Sequence, residues 1–185
     1  IKVTGSLKFD VRLPGSLLDQ AEVMRRVWGT ERTLRVAAST NEDEEQQVQG
    51  AHRQIMGRLP QALLVLVPRH PERFDRVATL VTRQGLALAR RSAGKICDPA
   101  TRVFLGDTMG ELPVFLAGAD AALIGGCLVP VGGHNLLEAA DVGVPVAIGP
   151  HVFKFAQMTE LLVSEGAAAQ VADGDALARC MAEWL

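Results

Sequence analysis

The sequence ALLVLV, residues 62–67, is an uninterrupted apolar run with the length of a strand. Continuous rather than alternating apolarity indicates that both faces of the strand are buried, as they are in a parallel sheet. Outward from this run, segments of strand character alternate with segments of helical character. Repeated strand-then-helix units predict a parallel sheet with helices on both faces and right-handed crossovers. The sequence therefore predicts an α/β fold with a parallel sheet.

The element boundaries follow from apolar pattern and from helix end signals. Gly29 is a good helix stop, and Asn41 can cap a helix with an acidic first turn. The predicted strands lie at residues 1–4, 34–38, 62–67, 86–89, 101–105, 121–124, 145–148 and 168–171. The predicted helices lie at residues 16–28, 42–59, 71–82, 110–117, 135–141, 155–164 and 175–185.

Size and composition suit a single domain over residues 1–185, with 48% hydrophobic and 22% charged residues. The net charge of −2, without a basic stripe, disfavours a nucleic-acid partner. No apolar run is long enough to span a bilayer, no signal peptide is visible, and the three cysteines form no C-x-x-C pair. We therefore expect a soluble chain from a reducing cytoplasm. Because it opens in a strand pattern without an initiator Met, we expect a fragment whose N-terminal part is missing.

Glycines and polar residues come directly after several of the predicted strands. These segments are residues 39–41, 68–70, 106–108, 125–126 and 149–151. In open α/β sheets, ligands bind outside the carboxyl ends of the strands. The convergence of these segments predicts a binding site at that rim.

The stretch GGCLVPVGGHNLLE, residues 125–138, is the most informative part of this rim. Glycine lets the backbone approach a ligand closely, and a helix that begins there directs free N–H groups at an anion such as a phosphate. Asn135 and Glu138 are three residues apart and would share one face of that helix. The alternative is a tight turn before a core helix.

Three side chains at the rim each allow a ligand-binding and a structural interpretation. Arg69 can bind two phosphate oxygens at once, or it can pair on the surface with Glu72 or Asp75. Ser39 can donate to a phosphate, or it can cap the acidic helix. Glu111 can accept from a sugar hydroxyl or a base amino group, or it can complement the dipole of a short helix.

The sequence predicts neither a metal site nor a catalytic nucleophile. His70, His134 and His151 lack helical spacing and nearby thiolates, so loop capping or substrate contact is the expected role. The carboxylates at residues 42–45 are expected to form a solvated helix face without chemistry. A Walker A motif, a G-x-S-x-G motif and a G-x-G-x-x-G at the first helix are all absent. Their absence argues against a P-loop enzyme, a hydrolase and an ordinary dehydrogenase.

Five motifs in order along nearly the whole chain resemble the 3-deoxy-D-manno-octulosonic acid (Kdo) transferases of lipopolysaccharide biosynthesis. They are TGSLKFD at 4–10, PRHPERF at 68–74, GDTMGELP at 106–113, GGHNLLEAA at 132–140 and GPHVFKF at 149–155. The resemblance implies the C-terminal domain of a GT-B glycosyltransferase, in which two Rossmann-like halves enclose a cleft. It implies CMP-Kdo as the donor substrate, with no cofactor or metal. The acceptor would be a lipid A precursor, bound through an N-terminal half that this chain lacks, at the cytoplasmic face of the bacterial inner membrane.

The same resemblance assigns the residues that contact the nucleotide. Phosphate is expected at Arg69 and at the backbone of Asn135 and Leu136, cytosine at the backbone near Met109, and ribose at Glu138. The family's general base lies in the N-terminal half, so no catalytic residue is expected in this chain, and the chain alone should be inactive. The full set of implied contacts is Pro68, Arg69, Met109, Gly110, Glu111, Asn135, Leu136, Leu137 and Glu138.

One loop departs from the family pattern, which usually reads Ser-Thr-His and then a glycine before a pair of glutamates. This chain has Ser39-Thr40-Asn41, and Asp43 stands before the glutamate pair. The loop therefore receives no ligand role from the resemblance. Two alternatives stay open, a GT-B enzyme or epimerase that uses a UDP-sugar, and a non-catalytic sugar-nucleotide-binding module. The number of Kdo residues, the acceptor hydroxyl and the oligomeric state are also open.

Overall fold

A computed structural model of the chain describes residues 15–94 and 97–184. Its strands are β1 (Leu34–Thr40), β2 (Leu63–Pro68), β3 (Leu88–Arg90), β4 (Val103–Leu105), β5 (Ala121–Ile124), β6 (Val146–Ile148) and β7 (Ala168–Gln170). They form one sheet in the order β3-β4-β2-β1-β5-β6-β7, and every neighbouring pair is parallel. The strand predicted at residues 1–4 and the motif at 4–10 lie outside the described residues.

Helices cover both faces of the sheet. Helix α2 packs against α7 and α3, and α4 packs against α1 and α5. The predicted α/β, Rossmann-like fold is therefore confirmed. The helices are α1 (Ser16–Trp28), α2 (Glu44–Met56), α3 (Phe74–Arg83), α4 (Leu112–Ala117), α5 (Leu137–Asp141), α6 (Ala156–Ser164) and α7 (Gly174–Glu183).

The core is built on the central strands, as the apolar run at 62–67 predicts. All six residues of β2 are buried. On one face, Trp28 at the end of α1 meets Phe104 and Phe115, with ring centroids 5.5 and 5.7 Å away. These rings bury large apolar areas and meet at steep angles, which aromatic pairs favour. The cluster fixes α1 and α4 on the sheet.

Four predicted helix starts are wrong by two or three residues, and one of them is that of α4, which begins at Leu112 instead of residue 110. Helix α2 begins at Glu44 instead of residue 42, and Asn41 does not cap it with its side chain. Helix α5 begins at Leu137 instead of Asn135, because the Asn135 side chain is bonded to the Leu137 N–H at 3.2 Å. The helix predicted from residue 71 opens with a 3-10 turn, Pro71–Arg73, before α3.

The sheet order changes direction at β1. The chain passes from β1 to β2 on one side and later crosses to β5 on the other side. A crevice opens at the carboxyl ends of strands where the order reverses in this way. At that end of β1 the register with β2 shifts between Ala38 and Thr40, and the intervening Ser39 has a φ of 54°. A non-glycine residue in this left-handed region is uncommon, so the rim carries local backbone strain.

Candidate functional site

A pocket of about 460 Å³ lies in the crevice at the carboxyl ends of β1, β2 and β5. Ala38 and Ser39 from β1, Pro68 and Arg69 from the end of β2, and Ile124 from β5 line its floor. Its other walls come from residues 108–110 after β4 and from the segment that leads into α5. The rim at which a binding site was predicted therefore carries a cavity.

Six of the nine residues assigned to the nucleotide line this pocket. Three do not, namely Glu111, Leu136 and Leu137. The chain segments that the sequence selected are thus brought together, although some individual side chains point elsewhere. The six that line the pocket are Pro68, Arg69, Met109, Gly110, Asn135 and Glu138.

Glu111 is turned towards Arg91. The Arg91 Nη2 donates to Glu111 Oε1 at 2.7 Å, its Nε lies 3.0 Å from both carboxylate oxygens, and the Thr108 hydroxyl also donates to the carboxylate. The hydrogen bonds from Arg91 outweigh the opposing effect of desolvation and lower the pKa of Glu111. Its carboxylate is hydrogen-bonded to Arg91 and Thr108, and a contact with a sugar or a base stays a prediction.

Leu136 and Leu137 pack against the hydrophobic core, and Leu136 is fully buried. Helix α5 has only five residues, and the Asn135 side-chain oxygen already takes up the Leu137 N–H. Helix α5 is therefore shorter than the helix predicted at residues 135–141, and the phosphate contact expected at the backbone of Asn135 and Leu136 stays a prediction. Asn135 and Glu138 nevertheless both reach the pocket, as their spacing predicts.

Arg69 is exposed at the mouth of the pocket, and its backbone N–H donates to Thr40 O at 2.9 Å. The two carboxylates that the sequence offered as surface partners of Arg69 contact other residues. Asp75 pairs with Arg90 at 2.7 Å, and Glu72 lies 3.9 Å from His70. Within residues 15–94 and 97–184, no carboxylate lies at salt-bridge distance from the Arg69 guanidinium. Its five donors are therefore available to an anion.

Glu44 was missed by the sequence analysis, which treated residues 42–45 as a solvated face. Its side chain is fully buried and accepts four backbone N–H groups. Oε2 binds the N–H groups of Asn41 at 2.9 Å and Gly126 at 2.7 Å. Oε1 binds those of Cys127 at 2.9 Å and Leu128 at 2.8 Å. One carboxylate thus ties the start of α2 to the glycine-rich loop.

Glu45, also predicted to be solvated, is buried as well. Arg73 from the 3-10 turn donates to it at 2.6 and 3.1 Å, and the Thr40 hydroxyl donates at 3.2 Å. A usable signal for Glu44 was present, because an acidic residue three positions after Asn41 fits the reciprocal half of a capping box. Glu45 offered no comparable signal.

His134 lines the pocket and contacts the loop that departs from the family pattern. The Asn41 amide nitrogen lies 3.0 Å from His134 Nε2 and donates to Ser39 O at 3.3 Å. Burial of the ring and then the nearby Arg69 charge lower the pKa of His134. Substrate contact, one of the two roles expected for His134, therefore agrees with its position.

Cys127 stabilises the same loop from inside the core. It accepts from the Gly149 N–H at 2.9 Å, donates to Ile124 O at 2.7 Å, and burial raises its pKa to about 12. Over the part of the chain that the structure describes, no three His, Cys, Asp or Glu residues converge as a metal site would require. Within those same limits, none of the helices has the length and apolarity needed to cross a membrane.

Comparisons with known proteins agree on one family, although no family model matches the chain. The chain is 37% identical over 182 residues to the 3-deoxy-D-manno-octulosonic acid transferase of Haemophilus influenzae. It is 41% identical over 186 residues to the protein of the same name from Bordetella pertussis. Each match covers 98% of this chain but only 43% and 42% of the respective relative. The chain thus spans less than half the length of these curated relatives.

A solved structure is similar over almost its whole length. It is the crystal structure of the C-terminal CMP-Kdo binding domain of WaaA from Acinetobacter baumannii. The two share 33% sequence identity and superpose with a TM-score of 0.84. The match covers 91% of this chain and 87% of that one.

Proposed function

The chain belongs to the Kdo transferase family, matching its C-terminal domain, and on this premise we propose that the rim pocket binds CMP-Kdo as a sugar donor. The observation that carries the proposal is Arg69, an exposed guanidinium without a carboxylate partner among the described residues, at the mouth of the pocket. A guanidinium can bind two phosphate oxygens at once. The pocket volume of about 460 Å³ also suits a small ligand.

The remaining lining residues receive roles that fit their positions. Met109 is 70% exposed, so its backbone lies in a loop that cytosine can reach. Glu138 and Asn135 both line the pocket, and we assign the ribose to Glu138, whose carboxylate can accept hydrogen bonds from the ribose hydroxyls. Leu136 keeps at most a backbone role, because its side chain is buried in the core.

The chemistry explains why the pocket needs positive charge. Transfer from a CMP-sugar breaks the bond between the anomeric carbon and the phosphate oxygen. Negative charge develops on the departing phosphate, and Arg69 stabilises it at the moment it forms. We include no metal ion in this step. The acceptor hydroxyl needs a positioned base, which we assign to the other half of the whole protein.

The wider activity of the whole protein is part of the same proposal. The whole protein transfers Kdo to a lipid A precursor during lipopolysaccharide biosynthesis. The acceptor comes from the cytoplasmic face of the bacterial inner membrane. The donor-binding role of this chain can be tested without that acceptor.

Calorimetric titration with CMP tests the site directly. Arg69→Ala should weaken CMP binding by about 1.5–3 kcal/mol, the size of a hydrogen bond to a charged group, or roughly 10- to 150-fold. The control is Arg58→Ala, because Arg58 is exposed before the amino end of β2, whereas Arg69 follows its carboxyl end. Equal losses for both variants, or none for Arg69→Ala, would remove Arg69 as the phosphate clamp.

Titration with UMP tests the base. CMP should bind more tightly than UMP. Cytosine, unlike uracil, carries an exocyclic amino group that can donate a hydrogen bond to a backbone carbonyl near Met109. Equal affinity for UMP would contradict the cytidine assignment and favour a uridine nucleotide as the donor.

A further inference from the structure

The contacts of Asn41 determine how its side-chain amide is oriented. Its backbone N–H donates to Glu44, which fixes residue 41 beside the glycine-rich loop. Its amide nitrogen faces Ser39 O at 3.3 Å and His134 Nε2 at 3.0 Å. A carbonyl oxygen such as Ser39 O only accepts, so the amide nitrogen and not the amide oxygen must face it. The same nitrogen then donates to His134, and Nε2 must be the acceptor.

The orientation of the His134 ring follows from its packing against Gly126. A Cβ added at Gly126, where φ is 72°, would lie 2.8 Å from His134 Nε2 and 2.9 Å from its Cδ2. This edge of the imidazole is therefore held against the loop. Nδ1 lies on the opposite side of the ring, and His134 lines the pocket. Among residues 15–94 and 97–184, Nδ1 has no hydrogen-bond partner.

The neighbouring charges agree with a neutral ring. Burial lowers the pKa of His134, and the positive charge of Arg69 is the next contribution in size. A neutral imidazole whose Nε2 accepts must carry its proton on Nδ1. The pocket then has one cationic donor at Arg69 and one neutral N–H donor at His134.

We propose that Asn41 is a positioning residue that holds His134 as its Nδ1-protonated tautomer, so that the Nδ1–H donates to an anionic oxygen of the bound donor. The ligand half of this statement rests on the proposed function, whereas the tautomer half does not. It gives the loop that departs from the family pattern a role in the site. Asn41 acts through the ring and does not itself touch the ligand.

The tautomer can be measured on the unliganded wild-type chain. Long-range nitrogen–proton NMR of histidine-labelled chain distinguishes the two ring nitrogens, and His134→Gln assigns the His134 signals among the four histidines. We expect a protonated Nδ1 and an unprotonated Nε2. In Asn41→Asp the carboxylate only accepts, so the proton should move to Nε2. A wild-type His134 protonated on Nε2 would overturn the role of Asn41.

The donation to the ligand is tested by a double-mutant cycle on CMP affinity. Asn41→Ala and His134→Ala should each weaken binding by about 2- to 12-fold, the range of a single hydrogen bond. In the His134→Ala background, Asn41→Ala should have no further effect, because its contribution passes through the ring. The same loss in both backgrounds would overturn the coupling. If the wild-type chain does not bind CMP, the ligand half fails with the proposed function, and the tautomer result stands by itself.

Discussion

Glu44 shows how one buried residue organises the site from a distance. Its carboxylate accepts N–H groups from residues 126–128, which are 82 to 84 positions away in the sequence. A carboxylate that accepts several N–H groups forms charge-assisted bonds, about twice as strong as neutral ones. It therefore fixes the loop that carries His134 and Asn135.

We predict that Glu44→Gln lowers the free energy of unfolding by about 2–4 kcal/mol. The amide has one acceptor oxygen, and its NH₂ group would face N–H donors, which leaves buried backbone groups unpaired. Denaturant unfolding followed by circular dichroism measures the change. The matched control is Glu42→Gln, since Glu42 is exposed and its ion pair among the described residues is with Arg76 at the surface. That change should stay within about 0.5 kcal/mol. Similar losses in both variants would contradict the role given to Glu44.

The position of a single residue could be predicted from the sequence where it directly follows a recognisable strand. Arg69 follows a buried strand, so the sequence predicts that it lies at the rim, and its place in the pocket confirms that position. The burial of Glu44 and Glu45 could not be predicted in this way, because a run of carboxylates is usually solvated and the capping-box spacing of Glu44 indicates only a helix start. Their burial depends on partners in distant segments, such as Arg73 and the N–H groups of the glycine-rich loop. The contact between Arg91 and Glu111 depends on distant segments in the same way, and the nucleotide role of Glu111 stays a prediction.

At the level of elements, the start of α2 is strained. Asp43, directly before the helix, has a φ of 68°. The left-handed region suits glycine, which lacks a Cβ, and costs other residues up to about 1–2 kcal/mol. This conformational cost is smaller for aspartate than for most residues, because its short side chain tolerates the left-handed region.

We therefore predict that Asp43→Gly raises the free energy of unfolding by about 0.5–1 kcal/mol, while Asp43→Ala lowers it. Thermal and denaturant unfolding of the two variants give the sign. Gln46→Gly, at an exposed position inside the same helix, serves as the control and should cost about 1 kcal/mol. A loss of stability in Asp43→Gly would show that the aspartate charge outweighs the backbone strain.

The existence and type of the elements were predictable, but several ends were not. The helix at residues 16–28 and the strand at 121–124 match α1 and β5 in full. Apolar periodicity and a glycine stop determine these two locally. The starts of α2 and α5 instead depend on side chains, with Glu44 bonded to the Asn41 N–H and Asn135 bonded to the Leu137 N–H. Sequence pattern alone does not say which of several candidate caps will form.

For the whole molecule, strand order decides which segments meet. The sequence predicted a parallel sheet and a binding rim, but the alternation of strands and helices does not determine the order β3-β4-β2-β1-β5-β6-β7. Because β5 lies beside β1, Gly125 is brought against the strained end of β1, where an added Cβ would lie 2.6 Å from Ser39 O. The pocket therefore requires a glycine at 125 as well as the strand reversal. Similar β-then-α units in another order would not bring Arg69 and His134 to one cavity.

Stability in acid offers a last prediction for the whole molecule. Hydrogen bonds from Arg91 hold the pKa of Glu111 below its ordinary value of 4.5. A carboxyl with a depressed folded-state pKa stabilises the fold above its ordinary pKa, and this contribution is lost as pH falls through the folded value. The wild-type chain should thus lose unfolding free energy below about pH 4.5, and Glu111→Gln should lose less over the same range. Denaturant unfolding at stepped pH measures both slopes, with exposed Glu165→Gln as the control that should keep the wild-type slope.

CMP titration of Glu111→Gln separates the two interpretations of this residue. A carboxylate committed to Arg91 outside the pocket predicts a smaller loss of affinity than Arg69→Ala produces, whereas an equal loss together with an unchanged acid slope would return Glu111 to the nucleotide.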